Sequence, residues 1–323
     1  MSFSSTAAAG GAPGGGTAAR QPSRVLFFRR GRVWITLFPY LFALPVVLYE
    51  GLFIIYPIIQ GILSTFTITE LAGLPPKFAG LANYVRLFAD PDMGTVVLTT
   101  VGLTLASVIP ALTAGLGVAL ILHNPFRGRV LVRMLVMLPW ALPDLPVLMV
   151  FSWMLNPIFG VFNAFARLVP GVTENIQFLN DPYFARLAVV TIGTWKAYPF
   201  YALVLLAALQ GISEQLYEAG RVDGANSFQL FQHVTLPSVL PTLALLTLLA
   251  LIFSIKGFSL VYLLTGGGPD LATETLVLHI YKTAFRFYDY SYGQTMGTVG
   301  LVGSMALAVV FFFFDRRRAA EGA

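Results

Sequence analysis

The sequence contains no cysteine, which removes disulfides, thiolate nucleophiles and cysteine-bound metals at once. Histidine is scarce as well: His123, His233 and His279 stand far apart, without neighbours at the spacing a metal site requires. Charge is thin throughout. Only 11% of the 323 residues are Asp, Glu, Lys or Arg, against roughly 25% in ordinary soluble domains, while 57% are hydrophobic. That balance excludes a soluble domain. A phosphate-binding loop is missing too, since such a loop ends in Gly-Lys-Ser/Thr and none of Lys77, Lys196, Lys256 and Lys282 follows a glycine. No ATP site and no cofactor are therefore expected in this chain. Polar groups in the apolar runs are too dispersed to suggest an enzyme.

What the chain does have is apolar runs, each near or above the ~20 residues that cross a bilayer as a helix. They cover about residues 35–66, 95–122, 132–155, 184–212, 238–264 and 293–314. The third is interrupted by Pro139, Pro143 and Pro146. Residues 1–33 are a Gly/Ala/Ser/Thr-rich tail ending in a basic flank, expected to be disordered and unlike a signal peptide. Residues 34–315 form the membrane domain, and 316–323 a short tail. The formal net charge of +5 does not point to nucleic acid, because the basic residues cluster at the ends of the apolar runs. Arg24, Arg29, Arg30, Arg32, Arg127, Arg129, Arg133, Arg221 and Arg316 to Arg318 fall on one side. That side is expected to be cytoplasmic, with both termini on it. The predicted fold class is an all-α membrane protein, a polytopic bundle of about six helices.

One polar stretch between two apolar runs, 213–237, has the pattern of a surface helix-turn-helix. Ser213 is a candidate N-cap, Asp223-Gly224 a turn, and the second piece runs from about Ala225 to Val234. Glu214, Glu218 and Asp223 offer charges to basic residues of a partner. Ala219, Gly220, Gly224 and Ala225 would let a partner backbone come close, and Pro237 and Pro241 would bend the chain where it enters the next span. An interfacial amphipathic helix is the plainer alternative. Four ionisable residues lie within apolar runs: Glu50, Asp144, Lys196 and Lys256. They either line a polar pathway or pair with one another, cap broken helix ends, or snorkel. Asp144, between Pro143 and Pro146, fits the bridging of a broken helix. Gly293, Gly297, Gly300 and Gly303 form a small-residue stripe for close helix packing.

Glu218-Ala219-Gly220, Asp223-Gly224-Ala225 and Val234-Thr235-Leu236-Pro237 resemble the permease signature of ATP-binding-cassette (ABC) importers, with Gly220 and Val234 replacing Ala and Ile. Leu138-Pro139 with Pro143 and Trp153, Trp195 to Phe200, and Leu264 to Pro269 followed by Thr273 and Thr275 look like further elements of the carbohydrate-uptake, maltose/trehalose-type branch. The resemblance covers about residues 35–315. It implies the type I importer permease fold and a permease subunit in the cytoplasmic membrane of a prokaryote. Its expected partners are a second, different permease, two ATPase subunits, an external solute-binding protein, a sugar and the lipid bilayer. It also implies ATPase coupling through Glu214, Glu218, Ala219, Gly220, Asp223, Gly224, Ala225, Leu236 and Pro237. By position in the family pattern, the substrate pathway falls on Gly193, Lys196, Ala197 and Phe200, and on Phe253, Ser254, Lys256 and Gly257. The competing function is a stand-alone secondary transporter or channel, which would want an internal inverted repeat; the two halves of the sequence offer no convincing one.

Overall fold

A computed structural model describes residues 28–68 and 75–321. In chain order these form α1 (Phe28–Glu50), α2 (Tyr56–Ser64), a ladder of β1 (Thr67–Ile68) with β2 (Lys77–Phe78), α3 (Ala82–Ala89) and α4 (Pro91–His123). Then come α5 (Arg129–Ala141), α6 (Asp144–Met154), α7 (Val161–Ala166), α8 (Pro182–Gln210) and α9 (Glu214–Val222). The last are α10 (Ser227–Leu230), α11 (Leu236–Ile255), α12 (Ser259–Leu264), α13 (Leu276–Tyr281) and α14 (Tyr290–Glu321). The expected disordered tail falls chiefly on residues 1–27, outside the described residues. From Phe28 onward the basic flank is helical, and the expected C-terminal tail is helical as far as Glu321. The chain forms two compact units, one ending at Ile58 and the other beginning at Ile59.

Five helical stretches among the described residues are long and apolar enough to cross a bilayer: Phe38–Ser64, Pro91–His123, Pro182–Gln210, Ser227–Ile255 and Tyr290–Phe313. α4 and α8 begin alike. Asp90 accepts the Asp92 N–H at 3.0 Å, and Asp181 accepts those of Tyr183 and Phe184 at 2.9 and 3.0 Å. Each aspartate is followed by proline in the first turn, where the missing N–H costs nothing and the fixed φ suits a helix. These caps start both helices upstream of the apolar runs that mark them in the sequence.

Proline acts in two opposite ways. At Pro143 it breaks the third run, because the residue before a proline is pushed out of the helical region and Leu142 has ψ 137°. α5 and α6 consequently meet at 88°. At Pro57 and Pro237 the helix carries on. The residue just before each proline donates its N–H five positions back, Tyr56 to Gly51 and Leu236 to Phe231. The widened π-helical turn makes room for a ring that would otherwise strike the carbonyl four residues back. Ser227–Ile255 therefore continues through Pro237 and Pro241 as one helix of 29 residues. The real interruption comes later: the expected 238–264 span stops at Ile255, and α12 follows after Lys256-Gly257-Phe258.

The core of the second unit is built on α4 against α8. Gly115 sets their distance, since a Cβ there would lie 2.8 Å from Tyr201 Cβ and 3.2 Å from the Ala202 nitrogen. Small residues at such crossings replace the hydrophobic driving force that a bilayer does not supply. One buried cluster joins Val108, Ala111 and Leu112 of α4 with Leu205 of α8 and Leu246 of α11. A second joins Leu103, Leu148, Val189, Val261 and Leu278. In α14 the glycine stripe is used only in part: a Cβ on Gly293 would meet Ala284 at 3.0 Å and one on Gly300 would meet Leu276 at 3.0 Å, whereas Gly297 and Gly303 face open space.

Candidate functional site

Where α4, α8 and α11 meet beside the α11–α12 break lies a cavity of about 200 Å³. Ser107 comes from α4, Gly193, Ala197 and Tyr201 from α8, and Phe253 and Ser254 from α11. Gly257 and Leu260 flank the break, and Thr275 closes the wall from the start of α13. None of the lining side chains carries a charge. Gly193 admits α12 closely, for a Cβ there would sit 3.0 Å from Leu260 Cδ2 and 3.9 Å from Ser107 Oγ. Phe253 offers an exposed aromatic ring at the cavity, the kind of face that covers the C–H side of a sugar ring.

Five of the eight residues expected along a substrate pathway line this cavity: Gly193, Ala197, Phe253, Ser254 and Gly257. Lys196, Phe200 and Lys256 do not. Helical register explains the first two. Gly193, Ala197 and Tyr201 follow one another at i, i+4 on the cavity face, which leaves Lys196 and Phe200 on the face toward α5. There Lys196 Nζ reaches Asp144 Oδ1 at 2.5 Å and donates to the Leu142 carbonyl at 2.9 Å. It closes the corner that Pro143 opens, supplying a donor to a helix-end carbonyl that has lost its intrahelical partner. Phe200 stacks on Trp140, with centroids 5.9 Å apart at 23°. Lys256 is exposed at the C-cap of α11. Glu50 is exposed on α1. Ser107, Tyr201 and Thr275 were not singled out as pathway residues from the sequence; for Ser107 and Tyr201 no local pattern marks them.

The polar segment forms the expected hairpin. α9 is followed by a turn in which Gly224 adopts φ +81° with nothing within 4 Å of a Cβ placed there. Asn226 then caps α10 reciprocally with Gln229, at 2.9 and 2.8 Å. Ser213 occupies the N-cap of α9 but makes no side-chain capping bond. Tyr217 OH meets Thr235 Oγ1 at 3.0 Å, tying α9 to the widened turn before Leu236-Pro237. Gly220 has a different partner from the one expected: a Cβ there would lie 2.6 Å from Leu230 of α10, so its smallness closes the hairpin on itself. The outward face carries Leu216, Val222 and Phe228, which are 51%, 88% and 71% exposed. Glu218 and Asp223 are exposed beside them, and among the described residues neither makes an ion pair. Glu214 lies 3.8 Å from Arg221.

A buried polar cluster missed in the sequence holds the segment that ends at Thr275. Glu274 is 1% exposed, takes a hydrogen bond from His279 Nδ1 at 3.0 Å and pairs with Lys282. Burial pushes its carboxyl up, but the bonds from His279 and Lys282 outweigh this and hold it below the usual carboxylate range. Gly267, at φ +90°, packs directly over that carboxylate, in space a Cβ would fill. Arg186 of α8 donates to the Ala272 carbonyl at 2.9 Å, and the Leu276 N–H to Thr100 Oγ1 of α4 at 2.8 Å. The Gly-rich segment is thereby fastened to both core helices. The only signal for it in the sequence is the run Gly266 to Thr275 itself. Among the described residues there is no cluster of His, Asp or Glu able to hold a metal.

Five long apolar helices, one broken span, an uncharged cavity in the bundle and an exposed polar hairpin define a multi-pass membrane transport permease. The chain belongs to the family described as binding-protein-dependent transport system inner membrane component, which it matches over residues 111–318. It is 33% identical to the sulfoquinovosyl glycerol transport system permease of Agrobacterium fabrum over 85% of this chain and 89% of that one. It is 34% identical to the trehalose/maltose transport system permease of Thermococcus litoralis over 86% and 94%. Its fold is that of ABC importer permeases: a crystal structure of a bacterial ABC transporter that imports alginate superposes with a TM-score of 0.78, at 23% identity, covering 88% of this chain and 99% of that chain.

Proposed function

We propose that this chain is one of two different permease subunits of an ATP-driven importer that carries a di- or oligosaccharide across the cytoplasmic membrane of a prokaryote. The observation that carries the reading is the physical link between hairpin and cavity. α10, the widened turn and α11 run unbroken from the Asn226 cap to Phe253 and Ser254, so whatever grips the hairpin can move the cavity wall. The hairpin is the docking element for a separate ATPase. Its apolar residues Leu216, Val222 and Phe228 are exposed, and Glu218 and Asp223 are free to meet basic groups. ATP and Mg bind to two such ATPase subunits, since this chain carries no phosphate-binding loop. An external solute-binding protein hands the sugar to the cavity, whose aromatic ring and hydroxyls suit a carbohydrate. The sugar relatives support that substrate class. The clustering of basic residues at one set of span ends supports a cytoplasmic position for both termini and the hairpin.

Reconstitution in proteoliposomes tests this. The chain alone should neither take up radiolabelled trehalose, maltose, sucrose, raffinose or cellobiose nor hydrolyse ATP. Uptake of at least one of them should appear only with the second permease, the ATPase subunits, the binding protein and ATP. Uptake by the chain alone, driven by an ion gradient, would establish a secondary transporter instead.

A further inference from the structure

The turn from α4 into α5 gathers positive charge and holds nothing to balance it. Between Asp92 and Asp144 the sequence has no acidic residue, while Arg127, Arg129 and Arg133 crowd together. Arg129 and Arg133 lie four residues apart on one face of α5. Val136, a turn further along that face, packs against the core formed by α4, α8 and α11, so the face looks into the bundle. Both arginines are half-buried, whereas Val130, Leu131, Met134 and Leu135 around them are 55–68% exposed. Arg129 Nε, Arg133 Nε and Arg133 Nη2 have no hydrogen-bond partner, nor has His123 Nδ1 at the end of α4. None of the three arginines makes an ion pair among the described residues. Two half-buried cations one helical turn apart give up hydration and repel each other unless an anion joins them.

The surroundings define that anion. α4 and α8 run side by side in the same direction, with Gly115 at Tyr201 and Leu103 in one cluster with Val189. The α4–α5 turn therefore lies at the end of the bundle that carries the hairpin. There the hairpin exposes Glu218 and Asp223, which call for a basic partner face; the arginines call for the opposite. Arg133 already stands inside the apolar run at 132–155, and the exposed Val130, Leu131, Met134 and Leu135 offer a surface for acyl chains. Guanidinium groups at the depth where apolar surface begins meet the level of lipid phosphates, and their planar fork fits phosphate oxygens two at a time. A basic pocket between helices at a membrane face is the form that headgroup sites take.

We propose that Arg129 and Arg133, with Arg127 adding charge at the turn, bind the phosphate of an anionic phospholipid whose acyl chains lie along the outer face of α5. The test uses the full chain, purified in detergent with the subunits that accompany it from the membrane. It is titrated with phosphatidylglycerol or phosphatidylcholine, and native mass spectrometry counts the lipids that stay bound. Wild type should retain phosphatidylglycerol in preference to phosphatidylcholine. In the double variant Arg129→Gln, Arg133→Gln, affinity for the tightest-bound phosphatidylglycerol should fall about thirtyfold, about fivefold for each charge lost. Phosphatidylcholine binding should not change, and Arg129→Lys with Arg133→Lys should keep most of the preference, since the charge remains. Where the glutamine double variant does not assemble, Arg133→Gln alone should show the fivefold loss. Equal affinity of the glutamine variant and wild type for phosphatidylglycerol overturns the proposal, as does a wild type that holds both lipids equally. Displacement of the lipid by millimolar inorganic phosphate overturns it in favour of a soluble anion. Loss of the accompanying subunits with lipid binding unchanged assigns the arginines to a carboxylate of a neighbouring protein, which also overturns it.

Discussion

Glu274 has almost no solvent contact, yet it stays ionised, because His279 and Lys282 supply what water would have given. Its folded value lies below the ordinary 4.5, so as pH falls from neutral the unfolded chain takes up the proton first. The stability contributed by this cluster is complete above the unfolded value and is lost as pH drops through the folded one. Thermal melts of the purified complex should show a melting temperature that declines below about pH 4.5. In Glu274→Gln that decline should be smaller, and stability at neutral pH should already be lower by about 3 kcal/mol, because Lys282 loses its buried counter-charge. An unchanged acid profile in the variant would show that other carboxylates set it. At this scale the sequence was legible only where one residue dominates its neighbourhood. Asp144 between two prolines reads as a helix-corner residue, and it is one. Lys196 permitted two opposite readings, and only the register of α8 decides that it serves the corner and not the cavity. Arg129 and Arg133 read only as flanking charges, since whether a guanidinium has a partner depends on contacts made across the fold.

The hairpin of α9 and α10 is the element whose sequence and structure agree most closely. A polar stretch with a helix period and an Asp-Gly turn is local information, so it survives without knowledge of the fold. The details that differ are tertiary: Gly220 faces Leu230, and Ser213 caps only in position. Gly224 adopts a φ that side chains avoid, on the outward side of the turn. Gly224→Val and Glu218→Lys should leave the subunit inserted and assembled while sugar uptake in proteoliposomes falls at least about tenfold, with ATP hydrolysis persisting. Wild-type uptake in both variants would show that the hairpin is a passive surface helix. The proline-containing elements teach the reverse lesson. Pro143 breaks a span and Pro237 does not: Leu142 is extended before the first ring, whereas a widened turn precedes the second.

At the scale of the molecule, the number of apolar stretches was plain from composition, and the broken third span was foreshadowed by its prolines. The interruption at Lys256-Gly257-Phe258 was hidden, since apolar composition continues straight through it into α12. Outward-facing residues such as Leu98, Val150, Leu203 and Val302 are 50–74% exposed, which suits surfaces that meet lipid or another subunit. Sidedness rests on the arginines that flank the spans. A C-terminal green fluorescent protein fusion should therefore fluoresce in cells and a C-terminal alkaline phosphatase fusion should be inactive; the opposite pair of results would invert the topology.

The widened turn before Pro237 has a mechanical consequence. By keeping the helix continuous, it leaves an unbroken stretch of 29 residues, about 43 Å long at 1.5 Å per residue. Pivoting a helix of that length by only about 5° would sweep its far end through roughly 4 Å. A hinge midway would absorb that swing as internal flexing. If the hairpin is gripped as proposed, the unbroken helix would carry a rotation made there to Phe253 and Ser254 in the cavity wall.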